Sequence, residues 1–456
     1  MNHIKLAYIG GGSKAWARVF MNDLALTDGL CGEIALYDID LASARRNQAI
    51  GNRLNEHPDT VSHWTYTVYE KLEDALSGAD FVACSILPGT FDEMESDVHL
   101  PEAYGIYQSV GDTVGPGGVL RAMRTVPIYE GFAEAIARVC PNAWVLNMTN
   151  PMTICTKTLF DVFPEVKAFG CCHEVFGTQN FLCDVVKEEL GIPRPHRRDI
   201  EIDVSGINHF TWITSAHYRG TDLLALLPGF IKKYYEIGYP QDFMGDPFRF
   251  GNKVKMDLFL RFGALAAAGD RHLVEFLNNR WYLTDEATAE SWLYHLTPVS
   301  YRKADQKKKI EESERLASGE EPVIPKRSSE EAVEMMKALV GMGSLISNAN
   351  TVNRGQAPDL PIGSIVETNC LFERDRLTPC KASPLPPAVL PLVARNAMNI
   401  EALYDGIKHR DLDVIFESFL NQPLCSALSA DEARELFRKM VSATSEYLTP
   451  YFDLSC

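Results

Sequence analysis

Short apolar runs alternate with helically spaced stretches over the first 195 residues, and the alternation predicts strands and helices in turn. Ile4-Lys5-Leu6-Ala7-Tyr8-Ile9 reads as a strand that enters Gly10-Gly11-Gly12-Ser13, and Trp16 to Leu26 has the spacing of a helix. Ile34 to Tyr37 is a second strand, Ala42 to Leu54 a helix, Trp64 to Val68 a strand, Lys71 to Leu76 a helix and Asp80 to Ile86 a buried strand. Pro127 reads as the start of a long helix to about Val139, where its missing N–H costs nothing. Ala143 to Met148 is the next strand, ending in Thr149-Asn150-Pro151. The apolar run through Ala168 and Phe169 is another, opening into Gly170-Cys171-Cys172-His173-Glu174-Val175-Phe176-Gly177. This order predicts an α/β protein whose N-terminal part is a Rossmann-like, doubly wound parallel sheet.

Beyond residue 195 the pattern loosens. Pro193 and Pro195 with Arg194, Arg197 and Arg198 mark a junction, so the expected division is a dinucleotide-binding domain over 1–195 and a packed, mixed α+β domain over 196–456. Glu201 to Val204 and Phe210 to Ala216 read as strands around Asn208-His209. Lys253 to Leu265 is an amphipathic helix with Met256, Leu258, Phe259, Phe262 and Leu265 toward the core. Asp285 to Leu296 and Ser328 to Ile346 read as helices, and Lys303 to Glu321, heavily charged, as a solvated one. A proline-rich section with one strand, Ile365-Val366-Glu367, precedes closing helices from about Leu390 to Tyr447.

Composition narrows the class. A chain of 456 residues is too long for one small core and suits two closely packed domains. With 44 Lys and Arg against 61 Asp and Glu, the net charge of −17 disfavours nucleic acid and anionic membrane surfaces as partners. No stretch approaches the ~20 uninterrupted apolar residues of a membrane span, and Met1 to Lys5 lacks a signal-peptide pattern, so a cytoplasmic protein is expected. Eleven cysteines without repeated spacing or a C-x-x-C pair read as reduced thiols and make a zinc ribbon a poor fit.

Several stretches carry candidate chemistry. Gly10, Gly11, Gly12 and Ser13 lie between a strand and a helix start, where backbone N–H groups and the helix dipole can hold a pyrophosphate. Asp38, at the end of the second strand, is placed to accept from an adenosine ribose and favours NAD over NADP. Leu87-Pro88-Gly89 would pass near the nicotinamide, and Asn150 offers a donor and an acceptor to a sugar hydroxyl or ribose. Cys172 at one strand end and His209 after another could share a divalent metal and leave positions open for substrate, although two such residues also fit an ordinary core. Gln108 to Gly118 is a glycine-rich loop with Asp112 in its middle and Arg121 and Arg124 after it; substrate cover and solvated surface loop fit equally. Ala266-Ala267-Ala268-Gly269-Asp270-Arg271-His272 ends in three ionisable groups.

In this order, with the late Asn353-Arg354-Gly355, Pro361 and Val366-Glu367, these pieces resemble glycoside hydrolase family 4 over nearly the whole chain. Its members are NAD- and Mn-dependent glycosidases that depart from the two-carboxylate mechanism of other glycosidases. The tetrad Cys172-His173-Glu174-Val175 looks like the form found in α-glycosidases of unphosphorylated sugars. The runs Cys171 to Gln179, Gly111 to Gly118 and Ala266 to His272 look most like the α-galacturonidase branch, with an α-glucosidase as the alternative. The resemblance implies hydride removal from sugar C3, loss of the C2 proton, elimination at C1, addition of water and return of the hydride. It also implies Cys172 and His209 as metal ligands, Asp112 near the metal or its water, Asn150 on the sugar hydroxyls, and His173 as the acid for the leaving oxygen, with His272 as substitute. Many members take the C2 proton with a tyrosine where this chain has Phe259 and Phe262, so Asp270 is the expected base; Arg271 would pair with a uronate carboxylate. A small glycoside substrate and a homodimer or homotetramer are further expectations. The competing classes are a simple NAD-dependent dehydrogenase and a non-catalytic dinucleotide-binding regulator.

Overall fold

Six parallel strands carry the opening part of the chain: β1 (Asn2–Ile9), β2 (Leu30–Tyr37), β3 (Trp64–Tyr69), β4 (Phe81–Cys84), β5 (Trp144–Asn147) and β6 (Lys167–Gly170). They belong to a computed structural model that describes residues 2–454, with 244 and 245 in backbone only. Across the sheet their order is β3-β2-β1-β4-β5-β6, and Leu6 of β1 lies between Ile34 of β2 and Phe81 of β4. β4 and β5 are buried at every residue. That is why they read as unbroken apolar runs: helices cover both faces of this half of the sheet. Strand order reverses between β1 and β4, and ligands of such sheets settle in the crevice beyond the strand ends at that point.

The sheet does not stop at β6. β7 (Glu201–Ile207), β8 (Phe210–Tyr218), β9 (Thr221–Asp222), β10 (Leu265–Ala266), β11 (Leu345–Val352), β12 (Ile365–Glu373) and β13 (Arg376–Pro379) bring it to thirteen strands. β11 joins β6 antiparallel through Asn350 and Gly170; β12, β7, β8 and β10 follow, with β13 on β12 and β9 on β8. The division expected at 195 and 196 falls between the helix Glu174–Leu190 and β7. One hydrogen-bonded layer thus spans both parts, and it holds the loop after β6 and the turn between β7 and β8 in fixed relation.

Several elements differ from the sequence reading. The helix expected to begin at Pro127 begins at Gly115 and runs to Val139, with Pro116 in its first turn and Pro127 inside it. An internal proline costs about 3 kcal/mol, but Leu120, Met123 and Val126 on this helix are wholly buried, and each such side chain returns roughly 1.5–3 kcal/mol. Gly115 to Gly118 therefore belong to a helix start. The helix expected over Ser328 to Ile346 is confined to Ala332–Leu339. Gly341 and Gly343, at φ 88° and 114°, break it before β11. β11 escaped notice because Asn348 and Asn350, both buried, interrupt its apolar pattern. β12, read as three residues, has nine, and the helix expected over Asp285 to Leu296 is Glu286–Ser291. The charged helix exists as Val299–Ser318 and is largely solvated. Glu312 and Glu314 tie it to Arg18 and Arg46 of the dinucleotide half, at 3.6 and 4.0 Å. No helix among the described residues is long and apolar enough to cross a membrane.

Candidate active site

At the end of β1 the chain turns under the end of β2: the N–H groups of Gly10 and Gly11 both donate to the Tyr37 carbonyl at 2.9 Å. Gly10 has φ 90°, and a Cβ there would fall 2.0 Å from the Ser85 carbonyl oxygen. On Gly11 it would meet the Leu36 Cα at 2.9 Å. Only glycine passes between β2 and β4 at this height. The Gly12 N–H donates to Asp38 Oδ2 at 2.8 Å, and Ser13 Oγ accepts from the Trp16 N–H at 3.1 Å, opening the helix Trp16–Ala25. Asn47, which the sequence reading missed, pins the loop by donating to the Gly11 and Ser13 carbonyls at 2.7 and 2.9 Å. Pro88 is buried in the turn after β4, where the Ile86 N–H donates to Thr149 Oγ1 at 3.0 Å. The cradle has the glycine turn between a strand and a helix start that dinucleotide sites use.

Asp112, His209 and His272 converge, each offering a ligand atom within 4.8 Å of the others. Asn208 and His209 form the two-residue turn between β7 and β8, and His209 sits at φ 62°, a left-handed conformation that costs a histidine about 1–2 kcal/mol. Its ring lies on that of His272, centroids 3.9 Å apart. Burial and the neighbouring His272 push His209 down to about 3, and burial lowers His272 as well. At neutral pH both rings are thus uncharged and present lone pairs, gaining charge only in the acid range where the nearby carboxyls titrate. Burial opposes charge on Asp112, but Arg121, His272 and His209 together hold its carboxyl well below the usual range. Being ionised, Asp112 can only accept, so the Thr113 hydroxyl donates its one proton to Asp112 Oδ1 at 2.7 Å. Thr113 Oγ1 must then accept from His209 Nδ1 at 3.0 Å. The proton of His209 is on Nδ1, and Nε2 is free to ligate.

Cys172, the other expected ligand, is not one of the three residues whose ligand atoms converge, but it borders the same compartment through Asn208 and Glu174. Burial, then the Glu367 and Glu174 carboxylates, hold its thiol well above the ordinary value, and Asn208 lies beside it. It stays a thiol until a cation displaces the proton. Glu174 links the groups. Burial pushes its carboxyl up, but His272, His173 and His209 pull it down to about 2, with Oε1 3.8 Å from His272 Nε2. His173 is half-exposed between Glu174 and Glu330, at 3.7 and 3.4 Å, and its ring is 5.6 Å from that of Trp16. That contact sets the loop after β6 against the helix leaving the glycine cradle. Asn150 Oδ1, His272 Nδ1 and both polar atoms of the Asn208 side chain are buried without hydrogen-bond partners among the described residues. Orphaned atoms of this kind cost about 1–3 kcal/mol each. Their presence on residues beside an N, N and O donor set fits a divalent cation and a polar ligand.

Other expected residues are placed differently. Gln108 to Gly111 are no mobile cover: Glu275 Oε1 accepts from the Val110 and Gly111 N–H groups at 2.7 and 2.9 Å, and Gln108 bridges the Asp97 carbonyl and the Gly117 N–H. Arg124 leaves the site to pair with buried Asp97, while Arg121 donates to the Asn150 carbonyl at 3.0 Å. Asp270 is wholly buried. Its oxygens accept from the Val254 and Lys255 N–H groups at 3.1 and 3.0 Å, at the start of the helix Lys253–Phe262. Burial holds its carboxyl up near 6, with Lys255 opposing. Arg271 gives Nε to the His295 carbonyl at 3.3 Å and Nη2 to the Ser109 carbonyl and Thr297. Asn353 spends its amide on the Ala357, Leu360 and Pro361 carbonyls and acts as a loop clasp. Thr113, Glu275 and Lys255 went unread because a lone hydroxyl, carboxylate or ammonium in a helical or glycine-rich stretch has no pattern to mark it.

Known proteins resemble this chain in sequence and fold. The family model described as family 4 glycosyl hydrolase matches residues 5–188, and that of its C-terminal domain matches residues 204–425. An α-galacturonidase of Thermoanaerobacterium saccharolyticum is 49% identical over 452 residues, 98% of this chain and 97% of its own. A crystal structure from Bacillus subtilis, described as that of a glucosidase, superposes with a TM-score of 0.92 at 47% identity, covering 96% of this chain and all of that one. A 6-phospho-α-glucosidase from gut microorganisms, solved with NAD and Mn2+, shares the fold at a TM-score of 0.78 and 19% identity, over 99% of this chain and 100% of its own. With both halves matched by the family's models and a close relative covered nearly end to end, the chain belongs to family 4 of the glycosyl hydrolases.

Proposed function

We propose that this protein is an NAD- and divalent-metal-dependent α-galacturonidase. The observation that carries the reading is the convergence of Asp112, His209 and His272, with the Cys172 thiol bordering the same compartment, next to a glycine cradle built for a dinucleotide. The α-galacturonidase name of the 49% identical relative supports the substrate, and the NAD and Mn2+ held by the 6-phospho-α-glucosidase support the cofactors. Cys172 and His209, joined by Asp112 and His272, would hold the metal; Gly10 to Ser13, Asp38 and Pro88 would hold NAD. When bound, the two supply a reversible hydride acceptor and a Lewis acid.

The chain's own residues do the rest. Asn150 Oδ1, buried and unpartnered, accepts from a sugar hydroxyl. His173, half-exposed and flanked by two carboxylates, gives a proton to the leaving oxygen. Asp270 is a positioning residue in this reading: enclosed and engaged by two N–H groups, it fixes the turn that presents His272. The C2 proton passes to a carboxylate that the site keeps ionised, Glu174 or Asp112, before the C1–O bond breaks, and that carboxyl exchanges with solvent, so turnover in heavy water puts deuterium at C2 of the product without net NADH. Protiated product would remove the elimination chemistry, and NADH accumulating in step with substrate would favour a dehydrogenase. Turnover of α-galacturonide, α-galactoside and α-glucoside under the same conditions tests the sugar; cleavage of the glucoside alone would favour the α-glucosidase alternative.

A further inference from the structure

Arg302 stands in the first turn of the helix Val299–Ser318, one residue before the stretch that reads as solvated, and is half-buried. Its Nε is buried and without a hydrogen-bond partner among the described residues, and its guanidinium carbon is 5.4 Å from the centre of the Phe248 ring. Asp112, Arg121 and Glu275 lie within its electrostatic reach, so it faces the compartment that holds the metal-ligand candidates. Arg271 shares the same ring, at 5.3 Å. Burial and then the Arg302 charge push Arg271 down to about 10.

The two guanidiniums are not equivalent. Arg271 has Nε and Nη2 committed to protein oxygens and serves to tie the His295, Thr297 and Ser109 segments together. Arg302 has its Nε without a hydrogen-bond partner among the described residues, beside a second cation and against an aromatic face. Cation–π contact with Phe248 orients the plane without using up an N–H. A sheltered pair of cations with one such Nε loses energy until a planar anion lies against it, and a carboxylate matches a guanidinium fork in shape and charge. We infer that Arg302, and not Arg271, reads the C6 carboxylate of the sugar, an inference that rests on the galacturonide reading above. Phe248 and the first turn of the helix Val299–Ser318 form the wall that carries it.

The test is calorimetric titration of the full chain, with NAD and Mn2+ present, with D-galacturonate and with D-galactose. Wild type, R302Q, R302K and R271Q are compared, and circular dichroism checks their folding. Wild type is expected to prefer galacturonate. In R302Q that preference falls by roughly 100-fold, the loss expected when one member of a sheltered charge pair is removed. In R302K, which keeps the charge but not the fork, it falls by about tenfold, and R271Q retains it. Retained preference in R302Q overturns the inference, as does an undiminished R302K should R302Q fail to fold. Equal affinity of the wild type for the two sugars instead overturns the substrate reading, and needs no variant to show it.

Discussion

Thr113 Oγ1 lies 3.0 Å from His209 Nδ1 and 2.7 Å from Asp112 Oδ1, so one hydroxyl proton sets the tautomer of the imidazole. Thr113→Val keeps the shape of the side chain and removes both contacts. His209 is then free to carry its proton on either nitrogen, and the donor it aims at a cation is no longer fixed. Affinity for Mn2+ is expected to fall about 10- to 100-fold, the usual effect of losing an outer hydrogen bond to a metal-ligating histidine. Thr113→Ser should stay close to wild type. A Mn2+ titration reads both, and wild-type affinity in the valine variant would rule out the tautomer argument.

Cys172→Ala separates the two halves of the site. The thiol is coupled to Glu174 and Glu367 and takes no part in the glycine cradle. Metal-dependent turnover is expected to disappear, while NAD binds within about threefold of wild type, since it rests on backbone groups set by β1 and β2. Equilibrium dialysis with NAD and an activity assay at saturating Mn2+ give the two numbers. Turnover that survives the exchange would exclude Cys172 from the metal.

The cradle itself has a sharper test. A methyl group on Gly10 would lie 2.0 Å from the Ser85 carbonyl oxygen, at a φ of 90° that alanine resists. Relief requires β1 and β4 to part at the point where a dinucleotide would sit. Gly10→Ala should therefore lose NAD binding by more than ~100-fold and melt earlier than wild type. Normal NAD affinity in this variant would place the nucleotide elsewhere.

The parts of this molecule that were legible in sequence are those governed by local rules. Continuous apolar strands and the Gly10 to Ser13 turn follow from burial on two faces and from backbone geometry, and both are present. The antiparallel half was legible in part: β7 and β8 alternate clearly, but β11 hides two buried asparagines whose purpose appears only in three dimensions, where Asn348 donates to the Cys172 carbonyl and to Glu367. Of the site, His209 was legible as a metal-binding residue type, Asp112 came near the metal only through the family resemblance, and Cys172, read beside His209, is not among the three residues whose ligand atoms converge. His272 was read as a substrate or acid group, and its place against His209 depends on a loop 63 residues further along. Arg124 was read beside the glycine loop and leaves the site for Asp97, while Arg302 carried no reading at all. A guanidinium on a helix has reach enough to leave a site or to enter one, and only packing decides.

Asp270→Asn distinguishes an anchor from a base. The two backbone N–H groups that Asp270 accepts open the helix Lys253–Phe262, and Lys255 behind it is buried and pushed down to about 8 by that burial. Asparagine has one acceptor oxygen, so one N–H is orphaned and the Lys255 charge loses its partner. A loss of roughly 2 kcal/mol in stability is expected, with weaker metal binding as the His272 turn loosens. Chemical denaturation measures it. An unchanged unfolding midpoint with kcat alone reduced would return Asp270 to the role of base.

Glu275 gives the stability of the fold a pH dependence whose sign follows from its surroundings. It is wholly buried, its Oε1 holds the Val110 and Gly111 N–H groups, and its Oε2 has no hydrogen-bond partner among the described residues. Burial pushes its carboxyl from 4.5 up to about 7. The native state therefore holds this proton more tightly than the unfolded chain does. Its contribution is complete below pH 4.5 and is lost as pH rises through 7. Glu275→Gln keeps an acceptor for the two N–H groups and carries no charge at any pH. Relative to this variant the wild type should lose on the order of 3 kcal/mol between about pH 4.5 and pH 8, visible as melting curves that diverge with rising pH. Curves that stay parallel across that range would mean that Glu275 is ionised throughout, and that the segment from Ser109 to Asp112 rests on a charge that Arg271 and Arg302 neutralise.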